Sequence, residues 1–138
     1  MSGKKIAIVT GASSGMGREM VYLLADHFAA LEEIWVIARR EDRLRELVGK
    51  VPVSLRILPF DLSGEEDLRM LSGLLKQEQP NVKILVNGAG YGKTGAAGTI
   101  PGSLSTGMVR LNDEALVAVT EMVLPYISGN SRIIQFAS

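Results

Sequence analysis

The segment VTGASSGMGREM at residues 9–20 is the most informative part of this chain about its fold. It joins an apolar run, KIAIVT at residues 5–10, to a segment with helical spacing that begins at Gly15. Gly11 permits a tight turn, Gly15 lets backbone approach a ligand, and Gly17 lets the helix pack closely on the strand. The N-terminus of that helix offers free N–H groups and a partial positive charge, which attract phosphate. The segment predicts a strand, a phosphate-binding turn and a helix; the alternative is a tight turn without a ligand.

The rest of the chain repeats this alternation of strand and helix. Apolar runs typical of buried strands occupy residues 5–10, 33–38, 54–60, 82–86 and 132–137. Helical spacing covers residues 15–30, 41–49, 63–79 and roughly 106–127. The pattern predicts one α/β domain over residues 1–138, a doubly wound parallel sheet of the Rossmann type with five strands. Ligands of such sheets bind at the carboxyl ends of the strands, where the chain order reverses.

The composition is that of one ordinary globular domain, with 46% apolar and 22% charged residues. Fifteen basic and fifteen acidic residues balance, so no bulk charge favours nucleic acid or an anionic membrane as a partner. No apolar stretch approaches the about 20 residues that cross a membrane as a helix. The chain has no cysteine and one histidine, His27, so no metal site is expected, and a cytoplasmic location fits.

The stretch NGAGYGKT at residues 87–94 ends like the phosphate loop of nucleotide triphosphatases. That motif needs a glycine where Asn87 stands, and its Lys-Thr pair must open a helix. Here Lys93 and Thr94 run into GAAGTIPGS, which is too rich in glycine and proline for a first helical turn. An ATP site is therefore disfavoured.

The order of six features along the chain resembles that of the short-chain dehydrogenase/reductase family. TGASSGMG at residues 10–17 has that family's T-G-x-x-x-G-x-G spacing. It is followed in order by Arg39-Arg40, FDLS at residues 60–63, NGAG at residues 87–90, Asn112 in a long helix, and RIIQFAS ending at Ser138. The resemblance spans the chain, and one departure is Gly88, which stands where the family's N-N-A-G turn has its second Asn.

The resemblance implies a nicotinamide cofactor in the crevice and assigns its contacts. Asp61 and Leu62 would flank the adenine, and residues 87–89 would line the adenosine ribose; for Asp61 the alternative is a helix-capping turn with Ser63. The implied cofactor-binding residues are Gly11, Ser13, Ser14, Met16, Gly17, Arg39, Arg40, Asp61, Leu62, Asn87, Gly88 and Ala89.

Arg39 bears on which nicotinamide cofactor would fit. An acidic residue at the end of the second strand would bind the ribose hydroxyls of NAD, whereas a guanidinium there would bind a 2′-phosphate. The sequence therefore predicts a preference for NADP(H) over NAD(H). The alternative is that Arg39 and Arg40 begin the next helix as solvated residues paired with Glu41 and Asp42.

The resemblance also implies catalytic roles for Asn112, which would hold a water in a proton relay, and Ser138, which would bind the substrate oxygen. The family's Tyr and Lys, spaced Y-x-x-x-K, are absent, because Tyr22, Tyr91 and Tyr126 are followed four residues later by Asp26, Gly95 and Asn130. We therefore expect an N-terminal portion that lacks the C-terminal strands and substrate region, and that does not turn over substrate alone.

The remaining expectations concern the protein's partners and competing functions. A carbonyl or alcohol substrate would bind only to the complete protein. The last strand would be an exposed edge, which favours a homo-oligomer. The competing hypothesis is a non-catalytic NADP(H)-binding or sensor module, and a methyltransferase is a distant third because its glycine loop is tighter.

Overall fold

The computed structural model describes residues 3–13, 15–88 and 115–135. Its elements in chain order are β1 (Lys5–Thr10), α1 (Gly15–His27), β2 (Glu33–Ile37), α2 (Glu41–Arg45), β3 (Ser54–Leu58), α3 (Glu65–Glu78), β4 (Asn81–Asn87), a helix over residues 115–123 that we call α4, a 3-10 turn (Leu124–Tyr126) and β5 (Ile127–Gln135).

The strands form one parallel sheet in the order β3-β2-β1-β4-β5. The predicted doubly wound, five-stranded sheet is therefore confirmed. The chain order reverses between β1 and β4, whose last paired residues are Thr10 and Asn87. Because ligands of such sheets bind where the order reverses, the carboxyl ends of β1 and β4 locate the candidate site.

Helices cover the sheet on both faces, which explains why its central strands are apolar throughout. Along β1, Ile6 and Ile8 belong to the core under α3 and α4, whereas Ala7 and Val9 belong to the core under α1 and α2. All four are fully buried. Burial of a side chain such as Ile6, Ile8 or Val9 contributes about 1.5–3 kcal/mol to stability. Because β1 lies between β2 and β4, it is central to both cores.

The fifth strand begins earlier than its apolar pattern predicts, at Ile127 rather than at residue 132. Val82 pairs with Ile127 and Ile84 pairs with Arg132, so residues 128–131 form a bulge opposite Lys83. Side chains hold this bulge to β4: Ser131 Oγ donates to the Val82 carbonyl at 2.8 Å, and Lys83 Nζ donates to Ser128 Oγ at 3.0 Å. The sequence SGNS resembles a turn, and only these contacts make it part of a strand.

Candidate functional site

The glycine turn after β1 has the geometry that its sequence predicts. Gly11 has φ +66°, the left-handed region that favours glycine. A Cβ added to Gly17 would lie 2.0 Å from the Gly11 carbonyl oxygen, so α1 can pack on the turn only through a glycine. The Ala12 amide donates to the Ile37 carbonyl at 3.2 Å, which ties the turn to β2. The duties expected of Gly11 and Gly17 in the turn are confirmed.

The start of α1 is open above the turn. Gly15 has φ +59°, and no described atom lies within 4 Å of a Cβ added there. Met16 is exposed, whereas Ser13 is half-buried beside the turn. A 13-residue helix thus begins at a surface that a bulky anion can approach, with its free N–H groups and the positive end of its dipole nearby.

A buried hydroxyl joins the two strands at the point where the order reverses. Thr10, with no exposed surface, donates from Oγ1 to the Val86 carbonyl at 3.4 Å. Thr10 Oγ1 in turn accepts a hydrogen bond from the Gly88 amide at 3.0 Å. Gly88 therefore leaves β4 in a fixed direction although it has no side chain, and the rest of the NGAG segment lies outside the described residues.

The side chain of Asn87 is directed into the protein. It is 5% exposed, and its amide nitrogen donates to Thr120 Oγ1 on α4 at 3.0 Å. The side-chain nitrogen of Asn87 is thus committed to Thr120 rather than to the ligand contact that the resemblance implies. Thr120 was not predicted from the sequence, and its T-E-M context on an amphipathic helix carries no signal that would have found it.

The two arginines after β2 differ in their partners. Arg40 Nε and Nη2 donate to the Asp42 carboxylate at 3.3 and 2.9 Å, as the alternative for this pair predicts. Arg39 is exposed, and among the described residues it forms no hydrogen bond or ion pair. Its guanidinium is thus available at the carboxyl end of β2, where a 2′-phosphate would lie.

Asp61 forms the turn with Ser63 that the alternative for this residue predicts, and its contact with an adenine stays a prediction. Its Oδ1 accepts from the Ser63 amide at 3.0 Å and from Ser63 Oγ at 2.6 Å, so the turn with Ser63 is present, although it ends before the N-cap Gly64 of α3, which has no side-chain cap. Asp67 Oδ2 accepts from the Asp61 amide at 2.6 Å, which fixes the turn to α3. The hydrogen bonds from Ser63 lower the pKa of the Asp61 carboxyl, and the nearby charge of Arg39 lowers it further. Asp61 is therefore ionised at neutral pH and lies close to Arg39.

Leu62 is placed differently from what a ligand-facing residue requires. Its side chain is buried and belongs to the core that includes Phe60 and Leu71. Any contact of Leu62 with an adenine is then limited to its main chain.

The other predicted residues are outside the described part of the chain. They are Ser14, Ala89, Asn112 and Ser138, whose roles stay predictions. Among the described residues no group of His, Cys, Asp or Glu side chains could hold a metal ion. In that same part, no helix has the length and apolar character to cross a membrane.

A parallel sheet in this strand order, with a glycine turn and an open helix N-terminus at its reversal, is the arrangement typical of dinucleotide-binding α/β proteins. The family model for short chain dehydrogenases matches residues 5–138. The chain therefore belongs to the short-chain dehydrogenase family.

Individual relatives agree with this assignment. The chain is 33% identical over 144 residues to the uncharacterized oxidoreductase YusZ of Bacillus subtilis (strain 168), covering 98% of this chain and 49% of that protein. A short-chain dehydrogenase from Sphingobium yanoikuyae, solved in complex with NADPH, has a TM-score of 0.70 and 26% identity, covering 88% of this chain and 48% of the other. A short-chain dehydrogenase from Streptomyces avermitilis has a TM-score of 0.77 and 26% identity, covering 100% of this chain and 50% of the other. The chain spans about half the length of these relatives.

Proposed function

We propose that this chain is the NADP(H)-binding part of an oxidoreductase that transfers hydride between the nicotinamide cofactor and a carbonyl or alcohol substrate. The observation that carries the proposal is the exposed Arg39 guanidinium, which follows β2 and forms no hydrogen bond or salt bridge with the described residues, Asp61 acting on it only as a nearby charge. The cofactor, when bound, supplies the hydride chemistry. The chain's own residues bind and orient it.

The described residues fit such a cofactor at two points. The open backbone at Gly15 and the N-terminus of α1 would hold the pyrophosphate, since no atom of the described residues lies within 4 Å of a Cβ added to Gly15. Arg39 would bind the 2′-phosphate. A hydrogen bond to a charged group contributes about 1.5–3 kcal/mol, which corresponds to a preference of about 10–100-fold for NADP(H). The NADPH complex of the Sphingobium relative supports this choice.

The catalytic part of the proposal concerns two residues that the sequence contains, Asn112 and Ser138, and a Tyr-Lys pair that it lacks. Asn112 and Ser138 would act on the proton relay and the substrate oxygen. No tyrosine is followed four residues later by a lysine in these 138 residues, so we propose that the chain binds cofactor without turnover by itself. A non-catalytic NADP(H)-binding or sensor module is the second candidate.

Calorimetric titration of the chain with NADPH and then with NADH tests the proposed cofactor. We expect saturable NADPH binding at least about tenfold tighter than NADH binding, because only NADPH carries the 2′-phosphate. Equal affinities would contradict the selectivity, and absence of binding to either would contradict the binding role. Sequencing the gene past codon 138 separates the two candidates, since a Y-x-x-x-K in frame there supports the oxidoreductase.

We also propose that the chain self-associates through β5. Among the described strands, β5 is an edge of the sheet next to β4, and Ile133 on it is 40% exposed. An exposed edge pairs readily with another strand. Sedimentation velocity should show a coefficient that rises with protein concentration, and Ile133→Lys should suppress the rise. Val48→Lys, which changes an exposed apolar residue before β3, should leave that rise unchanged. A wild-type chain that stays monomeric at the highest concentration would refute the proposal.

A further inference from the structure

We propose that Thr120 is a positioning residue for the cofactor crevice, an inference that rests on the proposed cofactor-binding function. Thr120 lies on α4, away from the glycine turn and the arginines. Its Oγ1 nevertheless connects three elements: it donates to the Leu116 carbonyl at 2.8 Å, and it accepts from Asn87 Nδ2 at 3.0 Å and from Gln135 Nε2 at 3.4 Å.

These three bonds use the full capacity of the hydroxyl. A threonine Oγ1 has one hydrogen to donate and two lone pairs to accept with. The bond to Leu116, four residues earlier, is the local bond that Thr often makes inside a helix, and by itself it stabilises nothing beyond α4. Here it fixes the direction of the hydroxyl, because the hydrogen is committed and both lone pairs are turned toward the sheet. Asn87 and Gln135 are neighbours in register on β4 and β5, so one oxygen joins the ends of both strands to the helix.

The bond to Asn87 matters most for the crevice. Asn87 is almost completely buried, so its amide nitrogen has little access to water as a replacement partner. The next residue, Gly88, donates its amide to Thr10 Oγ1 at 3.0 Å. Two threonine hydroxyls, one from β1 and one from α4, therefore hold two consecutive residues at the point where the sheet order reverses. Without Thr120, Asn87 must turn toward a new partner and the backbone at Gly88 moves with it.

The test compares Thr120→Val with Thr120→Ser in the full chain. Valine keeps the shape of threonine and removes the hydroxyl, whereas serine keeps the hydroxyl. We expect Thr120→Val to weaken NADPH binding about tenfold by calorimetry, because a buried donor loses its partner, and Thr120→Ser to stay within about twofold of wild type. Val123→Ala is the matched control for stability, since Val123 is fully buried on the same helix and its side chain cannot hydrogen-bond to β4. It should lower the unfolding temperature and leave NADPH affinity within about twofold of wild type.

A second measurement does not depend on the cofactor. In NMR spectra of the chain, Thr120→Val should shift the side-chain amide signals of Asn87 and speed hydrogen exchange at the Gly88 amide, whereas Val123→Ala should leave both in place. If wild type binds no nicotinamide cofactor, the proposed function fails and these signals still decide the position of Asn87. Unchanged Asn87 and Gly88 signals in Thr120→Val would overturn the inference. Altered signals with unchanged NADPH affinity would overturn its link to the crevice.

Discussion

Gly17→Ala is expected to unfold the junction between β1 and α1. The new Cβ would lie 2.0 Å from the carbonyl oxygen and 2.7 Å from the carbonyl carbon of Gly11. Both are backbone atoms in a turn that is hydrogen-bonded to β2 through Ala12, so no flexible side chain can move aside. Overpacking usually costs about 1–3 kcal/mol, and a clash with fixed backbone belongs at or above the upper end of that range. Urea denaturation measures the loss directly.

Gly73→Ala is the matched control for that experiment. Gly73 is exposed inside α3, and nothing lies within 4 Å of a Cβ added there. Alanine should therefore raise the free energy of unfolding by about 0.5–1 kcal/mol, because it restricts the unfolded chain and favours the helix. A Gly17→Ala chain with the wild-type denaturation midpoint would show that α1 does not pack on the turn as described.

Arg39→Ala is expected to reduce NADPH affinity about 10–100-fold and to leave NADH affinity nearly unchanged. The reason is that Arg39 has no hydrogen bond or ion pair within the described structure, so its guanidinium can bind the extra phosphate that distinguishes the two cofactors. Parallel calorimetric titrations with both cofactors measure the effect. Equal loss for NADPH and NADH would mean that the variant damages the fold rather than a phosphate contact.

Two neighbouring arginines sharpen this test. Arg45 pairs with Glu41 at 2.6 Å on the exposed side of α2, and Arg45→Ala should change neither affinity. Arg40 is held by Asp42, so Arg40→Ala should weaken NADPH binding less than Arg39→Ala does. A larger effect at Arg40 would assign the 2′-phosphate to that residue and contradict the role given to Arg39.

Several features followed from the sequence because they depend on local chemistry. Gly11 and Gly17 could be assigned their duties in the turn because the left-handed backbone at Gly11 favours glycine and the close approach at Gly17 leaves no room for a Cβ. The five parallel strands followed from short apolar runs alternating with helical spacing. The order of motifs then pointed to the family, which the match over residues 5–138 confirms.

Other features depend on residues far apart in the chain, and no local pattern could give them. The bulge that lets β5 begin at Ile127 needs side-chain bonds to β4 across about 45 residues. Leu62 faces the core because of how β3 meets α3, although its motif suggests a ligand. Thr120 has a role only because the fold brings Asn87 and Gln135 to its hydroxyl. The turn, the class of sheet and the family could be predicted from the residues alone, since backbone conformation and burial periodicity are local properties. The polar side chains that meet at the crevice could be identified only in the folded chain, because their hydrogen bonds join segments that sequence spacing does not relate.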